Sequence, residues 1–272
     1  MKIYLMTDLE GVCGVLDHDD WVNRESRYYE DAKTLLVQEV NAALEGFFEE
    51  GADEVLVLDG HGAGGIRQAQ LDPRSTFQRG FVGPWPCGLD ASFDAVAWVG
   101  QHAKAGTPFA HIPHTQWFDR LDFRINGVSV GEFGQLAFCA ACFGVRPLFA
   151  SGDMAFTGEA CALVPGIETV AVKRGLMPGS GDELDADAYR RRNGAAVHLH
   201  PEVARKRIRD GAGAALRRFR QDRQGFKLLD VEPPFTVEQR CRSDGSNAAY
   251  KATASHPTDL VQCLNSPLTR IE

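Results

Sequence analysis

The sequence predicts an α/β protein, a layered α/β/α arrangement around a mainly parallel sheet joined by a second, smaller α+β domain. Three observations carry that prediction. Short continuous apolar runs recur at 2–8, 54–59 and 95–100, the pattern of strands covered on both faces. A segment with helical periodicity separates the first two runs, giving the strand, helix, strand order of a βαβ unit and so a parallel pair. Past residue 193 an Arg-rich helix and two further β-rich runs supply material for the smaller unit.

The first run, Lys2 to Thr7, is apolar and meets a carboxylate at Asp8, so it reads as a buried strand. Over 29–50 the residues Ala32, Leu35, Leu36, Val40, Ala43, Leu44 and Phe47 recur at three- and four-residue steps, forming the apolar stripe of a helix that Gly51 stops. The run at 54–59 is the second strand. Between 70 and 90 the composition shifts to Pro, Gly and aromatic residues, which predicts an irregular excursion outside the sheet. Further strands are expected at 95–100, 147–151 and 169–172. Asn126-Gly127 between β-rich runs signals a hairpin with a type I′ turn. A Gly- and Asp-rich stretch from Pro178 reads as a loop, 201–220 as a helix, and 226–231 and 235–240 as strands. The domain reading that follows is a metal-binding α/β domain over 1–192 and an α+β domain over 193–272, with 70–93 a candidate addition to the second.

Composition sets outer limits on function. With 272 residues, 44% hydrophobic and 24% charged, the chain can bury one large core or two modest ones. The net charge of -8 argues against a nucleic-acid partner, because phosphate binding draws on accumulated Lys and Arg. The basic run at 205–220 reads instead as a solvated helix face. No apolar run approaches the roughly 20 residues of a membrane helix, so no membrane partner is expected. Charged Asp8 and Glu10 come too soon for a signal peptide, and a cytoplasmic location is expected. Seven cysteines, an odd number, suit reduced thiols, and Cys139 with Cys142 read as small residues buried in an apolar helix.

Chemistry collects where strands end. Asp8 and Glu10 follow the first strand, Asp59 and His61 the second, and His102 the third. In a parallel sheet these carboxyl ends share one edge, where open α/β folds place their ligands. The two-residue spacing of Asp8 and Glu10 puts both carboxylates on one side of an extended segment. With His111, His114 and Glu132 shortly after, the mixture suits Zn²⁺ or a similar divalent ion. Gly60, Gly62 and Gly65 match the spacing of a dinucleotide fingerprint, but Pro73 follows too soon for the helix that fingerprint opens. Asp153 is a candidate for holding a free α-amine, with a helix cap as its ordinary role.

The set Thr7-Asp8-x-Glu10-Gly11, Asp59-Gly60-His61, Gly100-Gln101-His102-Ala103 with Thr107-Pro108, His114 and Val130-Gly131-Glu132-Phe133-Gly134 resembles the D-aminopeptidases of peptidase family M55. The likeness continues through Ser151-Gly152-Asp153 and Ala171-Val172-Lys173, and fades beyond residue 180. It implies a zinc aminopeptidase acting on short peptides, of the D-alanyl type. Two zinc ions per subunit would be held by Asp8, Glu10, His61, His102 and Glu132, with Asp8 bridging. His114 matches the family's catalytic histidine, as nucleophile, proton shuttle or oxyanion stabiliser, and His111 stands nearby as an alternative. The resemblance also implies a homo-oligomer, a decamer of two stacked pentameric rings. Another metal-dependent amidohydrolase, or a metal- or peptide-binding protein without turnover, is the competing reading.

Overall fold

The structure is a computed structural model that describes residues 1–80 and 85–271. In chain order its elements are β1 (Lys2–Thr7), α1 (His18–Trp21), α2 (Tyr29–Glu49), β2 (Glu54–Asp59), β3 (Thr76–Arg79), β4 (Ala95–Gln101), β5 (Arg120–Ile125), β6 (Val128–Ser129), α3 (Glu132–Cys142), β7 (Arg146–Asp153), α4 (Met154–Leu163), β8 (Glu168–Gly175), α5 (Ala186–Arg192), β9 (Ala196–His198), α6 (Pro201–Gln221), β10 (Phe235–Cys241), β11 (Tyr250–His256), α7 (Leu260–Asn265) and β12 (Thr269–Ile271).

Seven strands form one sheet in the order β3-β2-β1-β4-β7-β8-β9, parallel throughout except for β9 at its edge. The continuous apolar runs are explained by this position. In β1, Ile3 and Leu5 face a core shared with α2 and α6, while Tyr4 and Met6 face a second core built by α3 and α4. In β4, Ala97 and Val99 alternate with Val96 and Trp98 in the same way. Each strand is apolar on both sides because each side is covered. The Arg-rich α6 lies against α2, where Arg209 pairs with Glu45 and Glu49 and Arg217 pairs with Glu50. Its charged face is an ion-pair seam within the chain.

The second sheet is antiparallel, in the order β12-β11-β10-β5-β6. Its β5–β6 hairpin turns at Asn126 and Gly127, with φ values of 47° and 81°, as a type I′ turn requires. Phe123, Ile125, Phe235 and Val237 pack with α7 and with Phe138, which α3 sends toward this third core while Phe133 and Leu136 face the large sheet. The sheets do not divide the chain at a single point. The hairpin at Arg120–Ser129 belongs with the C-terminal strands, whereas β9 and α6 belong to the large sheet. No helix among the described residues is long and apolar enough to cross a membrane.

Three expectations need correction. The excursion at 70–90 is not outside the sheet: β3 pairs in parallel with β2, Leu56 opposite Thr76 through Asp59 opposite Arg79. As a short edge strand with only Phe77 turned inward, it lacks the apolar alternation that would announce it. Cys87, Leu89 and Phe93 of the same segment pack into the core beneath β1 and β4. Residues 81–84 of that segment lie outside the described residues. The strand expected at 226–231 is absent: Phe226 is buried with Phe219 in the first core, and Leu229 and Val231 pack against the others, so these apolar residues fill seams as the chain crosses between layers. Of the cysteine pair on α3, Cys139 is buried and Cys142 is exposed.

Candidate metal centre

The parallel register brings the strand ends level. Thr7 stands opposite Asp59 on one side and Val99 on the other, so Asp8 and Gly60, which begin the loops after β1 and β2, stand level with Gly100 near the end of β4 along the carboxyl edge. The loop after β1 crosses the end of β4 closely: Asp8 donates its N–H to Val99 at 3.0 Å and Gly11 to Gly100 at 2.7 Å. Gly100 has φ +78°, and a Cβ there would lie 2.1 Å from the Asp8 carbonyl oxygen. A glycine is the residue that permits this crossing.

Six side chains meet in the space so defined. Asp8 uses its two carboxylate oxygens in different directions, Oδ1 lying 3.4 Å from His61 Nδ1 and Oδ2 lying 3.2 Å from His102 Nε2. Glu10 Oε2 is 3.3 Å from His61 Nδ1, and Glu10 Oε1 is 3.8 Å from His114 Nε2. Glu132, in the first turn of α3, sets Oε2 3.8 Å from His102 Nε2. The His102 and His114 rings stack with centroids 3.9 Å apart. Donor atoms of Asp8, Glu10 and His61 all lie within 4.8 Å of one another, and so do those of His102, His114 and Glu132.

Each imidazole is held from behind. His61 Nε2 donates to the Val22 carbonyl at 3.0 Å, His102 Nδ1 to Ala103 at 3.0 Å and His114 Nδ1 to Ile112 at 2.9 Å. These bonds place a proton on the outer nitrogen, so that in the neutral ring the inner one carries the lone pair, the arrangement that surrounds metal-binding histidines. Gln101 Nε2 donates to Asp8 Oδ2 at 3.0 Å, and the Gln116 N–H donates to Glu132 at 2.6 Å. Glu10 Oε2 and His102 Nε2 are buried and have no hydrogen-bond partner among the described residues.

The electrostatics follow from burying so many carboxylates together. Burial disfavours the imidazolium form of His61, yet the Glu10 charge and the contacts of its Nδ1 with the Asp8 and Glu10 carboxylates carry its pKa well above the usual histidine range. His102, against the same opposition from burial, is pushed up to about 10 by Glu132 and Asp8. Burial moves Glu132 up to about 7 despite His102. His114 goes the other way, down to about 3, through burial and the neighbouring His102. The cluster therefore draws positive charge inward, and a divalent cation bound by nitrogen and oxygen donors supplies it. The residue set fits zinc.

A cavity of about 530 Å³ opens onto the cluster. Its walls include Met6, Val22 and Trp117 on the apolar side and Asn23 and Gln116 on the polar side. His18, also at this wall, packs edge-on against Phe118.

Three residues of the strand-end reading work elsewhere. His111 is fully buried, donates its N–H to Asp153 at 2.7 Å and its Nε2 proton to Leu16, and faces His198. Asp153 caps α4 by accepting from Phe156, so it is not placed to hold a substrate amine. Asp59 shapes the next loop by accepting from Gly65 and Ile66. Gln101 was open to recognition as the immediate neighbour of His102, whereas His18 and Gln116 carry no sequence signal of their place at the cavity.

The profile of the D-aminopeptidase family, peptidase M55, matches residues 1–259. The chain belongs to that family. A curated member, the D-aminopeptidase of Bacillus subtilis (strain 168), is 34% identical over 177 residues, which is 64% of this chain and 64% of that protein. The aligned part thus spans less than two thirds of that relative. The solved structure of the zinc-dependent D-aminopeptidase DppA from Bacillus subtilis, described as a self-compartmentalizing protease, superposes with a TM-score of 0.81 at 25% identity. That likeness covers 97% of this chain and 94% of the other, so it includes the second sheet and the C-terminal strands beyond the point where the sequence resemblance fades.

Proposed function

We propose that this M55 family member is a zinc-dependent aminopeptidase that removes the N-terminal residue of short peptides, with D-residues of the D-alanyl type preferred. One observation carries the reading: two groups of metal-competent side chains stand side by side at the floor of a cavity, and Asp8 directs one carboxylate oxygen toward each. Asp8, Glu10, His61, His102 and Glu132 would hold two zinc ions, with Asp8 between them.

Zinc bound there supplies Lewis acidity toward a peptide carbonyl and makes water a stronger acid. The remaining work falls to the chain. Gln101 orients Asp8, and the main-chain N–H of Gln116 orients Glu132. His114 has its Nδ1 proton committed to Ile112, so Nε2 is the free lone pair at the cavity. An acceptor in that position takes the proton of the attacking water and returns it to the departing amine. That geometry favours proton transfer over oxyanion stabilisation, which needs a donor. The apolar wall of Met6, Val22 and Trp117 receives the substrate side chain and excludes water.

The solved relative's description supports a homo-oligomer, and the family resemblance a decamer. The cytoplasm is the proposed location. The decisive experiment pairs zinc analysis with hydrolysis of matched L- and D-alanyl peptides by the purified protein. Two zinc ions per chain and faster turnover of the D-peptides are expected. Metal-free protein after zinc reconstitution ends the proposal, and equal turnover of both peptides ends its stereochemical part. Light scattering that finds only a monomer at micromolar concentration ends the oligomer.

A further inference from the structure

The Ala171-Val172-Lys173 motif has no part in the cluster, yet Lys173 is only 3% exposed and reaches it from beneath. Across β7, β8 and β9 the register sets Asp153 opposite Lys173 and Lys173 opposite His198, so the three polar side chains form a row on one face of the sheet. That row meets the turn between Glu10 and Leu16. Asp153 accepts the His111 N–H, His198 Nδ1 accepts the Gly14 N–H at 3.1 Å, and Lys173 Nζ donates to the Glu10 carbonyl at 2.5 Å and to the Val15 carbonyl at 3.3 Å. Glu39 on α2 accepts the Cys13 N–H at 2.9 Å.

The division of labour is informative. Glu39 and His198 receive N–H groups from the turn, and so does Gly100, which accepts from Gly11. Lys173 serves its carbonyls, and one of them belongs to the residue whose carboxylate faces His61. Burying an ammonium is expensive, and a carboxylate partner is the ordinary compensation. Here both hydrogen bonds go to main-chain oxygens at the two ends of one turn. Metal ligands must be placed to within about 0.2 Å, and backbone that carries a ligand is held to that tolerance only if its own polar groups are tied.

We propose that Lys173 is a positioning residue of the metal centre: by holding the carbonyls of Glu10 and Val15 it fixes the turn that aims the Glu10 carboxylate, and so sets the zinc affinity of the Asp8, Glu10 and His61 position. The inference rests on the metal-centre reading above. Its effect passes through Glu10, so its loss weakens zinc binding at one position and leaves the His102 and Glu132 side intact.

The test is zinc titration against a chromophoric chelator for the full-length wild type, Lys173→Met, and Lys173→Met combined with Glu39→Gln. The double variant removes a buried carboxylate that the single one leaves without its neighbouring cation, and it serves where the single variant folds poorly. One of the two zinc affinities is expected to fall by about 10–100-fold in both variants, the size of effect that outer-shell partners of metal ligands exert. At saturating zinc the variants should recover turnover with an unchanged KM. A purely structural lysine would lower the melting temperature and leave both zinc affinities of the folded protein at wild-type values, and that result overturns the proposal. A wild type that binds no zinc overturns the metal-centre reading itself, so the two failures are distinct.

Discussion

His111 and His114 share one loop, and their surroundings give them opposite work. His111 has both its main-chain N–H and its Nε2 proton committed, to Asp153 and Leu16, and burial followed by the nearby Lys173 charge holds it at about 2, a neutral structural ring. His114 commits one nitrogen to Ile112 and presents the other to Glu10 and the cavity. His114→Ala should therefore retain both zinc ions and lose about 10²–10⁴-fold in turnover, the usual contribution of a general acid–base group. His111→Ala should keep turnover and lose about 1–3 kcal/mol of stability through the Leu16 carbonyl left unpaired. Zinc analysis, steady-state kinetics and urea unfolding on the two variants separate the roles. Zinc loss in His114→Ala would make it a ligand of the His102 and Glu132 group, and a collapse of turnover in His111→Ala alone would transfer the catalytic role. The ligands themselves should behave differently: Asp8→Ala should lose more zinc than Glu10→Ala, because Asp8 alone lies within 3.4 Å of both His61 and His102.

At the scale of elements, the centre depends on where strands stop. β1 stops opposite Val99 while β4 continues to Gln101, and the loop after β1 passes over that end of β4 at a contact only a glycine tolerates. Gly100→Ala puts a methyl group 2.1 Å from the Asp8 carbonyl in a left-handed backbone position, so β4 or the Asp8 loop must shift. A loss of about 2–4 kcal/mol is expected from the combined strain and overpacking, together with weaker zinc binding, because Asp8 moves. Urea unfolding and zinc titration check both, and wild-type values in the two measurements would remove Gly100 from the account. The strand ends were legible in the sequence because parallel strands are apolar on both faces and stop at a polar residue, which is how Asp8, His61 and His102 stood out. Glu132 entered the sequence reading only as a nearby carboxylate and took a ligand's role from the family motif, since nothing in the spacing ties the start of α3 to the far end of β1. The edge strand β3 was hidden because pairing on one side demands little apolar sequence, and Phe226, Leu229 and Val231 misled because residues that fill seams between layers look like a strand. Lys173 was visible only as part of a motif. Its contact with Glu10 spans 163 positions and exists only once β8 lies beside β7.

For the whole molecule, the centre is a clasp between distant segments. Asp8 and Glu10 follow β1, His61 follows β2, His102 follows β4, and Glu132 begins α3, the helix that packs against both the large sheet and the small one. Ions that bind these residues together favour the folded state over a chain in which the ligands are dispersed, and the gain is about 2.7 kcal/mol per site at zinc a hundredfold above its dissociation constant. In a chain of this size each kcal/mol moves the melting temperature by about 2–4 °C. Zinc-loaded protein should therefore melt roughly 5–10 °C above chelator-treated protein for each occupied site, and added zinc should restore the difference. Calorimetry must hold protomer concentration fixed, because oligomerisation shifts the melting temperature by the same mass action. Asp8→Ala provides the internal control: with the residue that faces both halves removed, the chelator should change its melting temperature little. Equal melting temperatures for wild type with and without zinc would mean that the six side chains are not drawn together by metal, and the ion would have to be sought elsewhere in the chain.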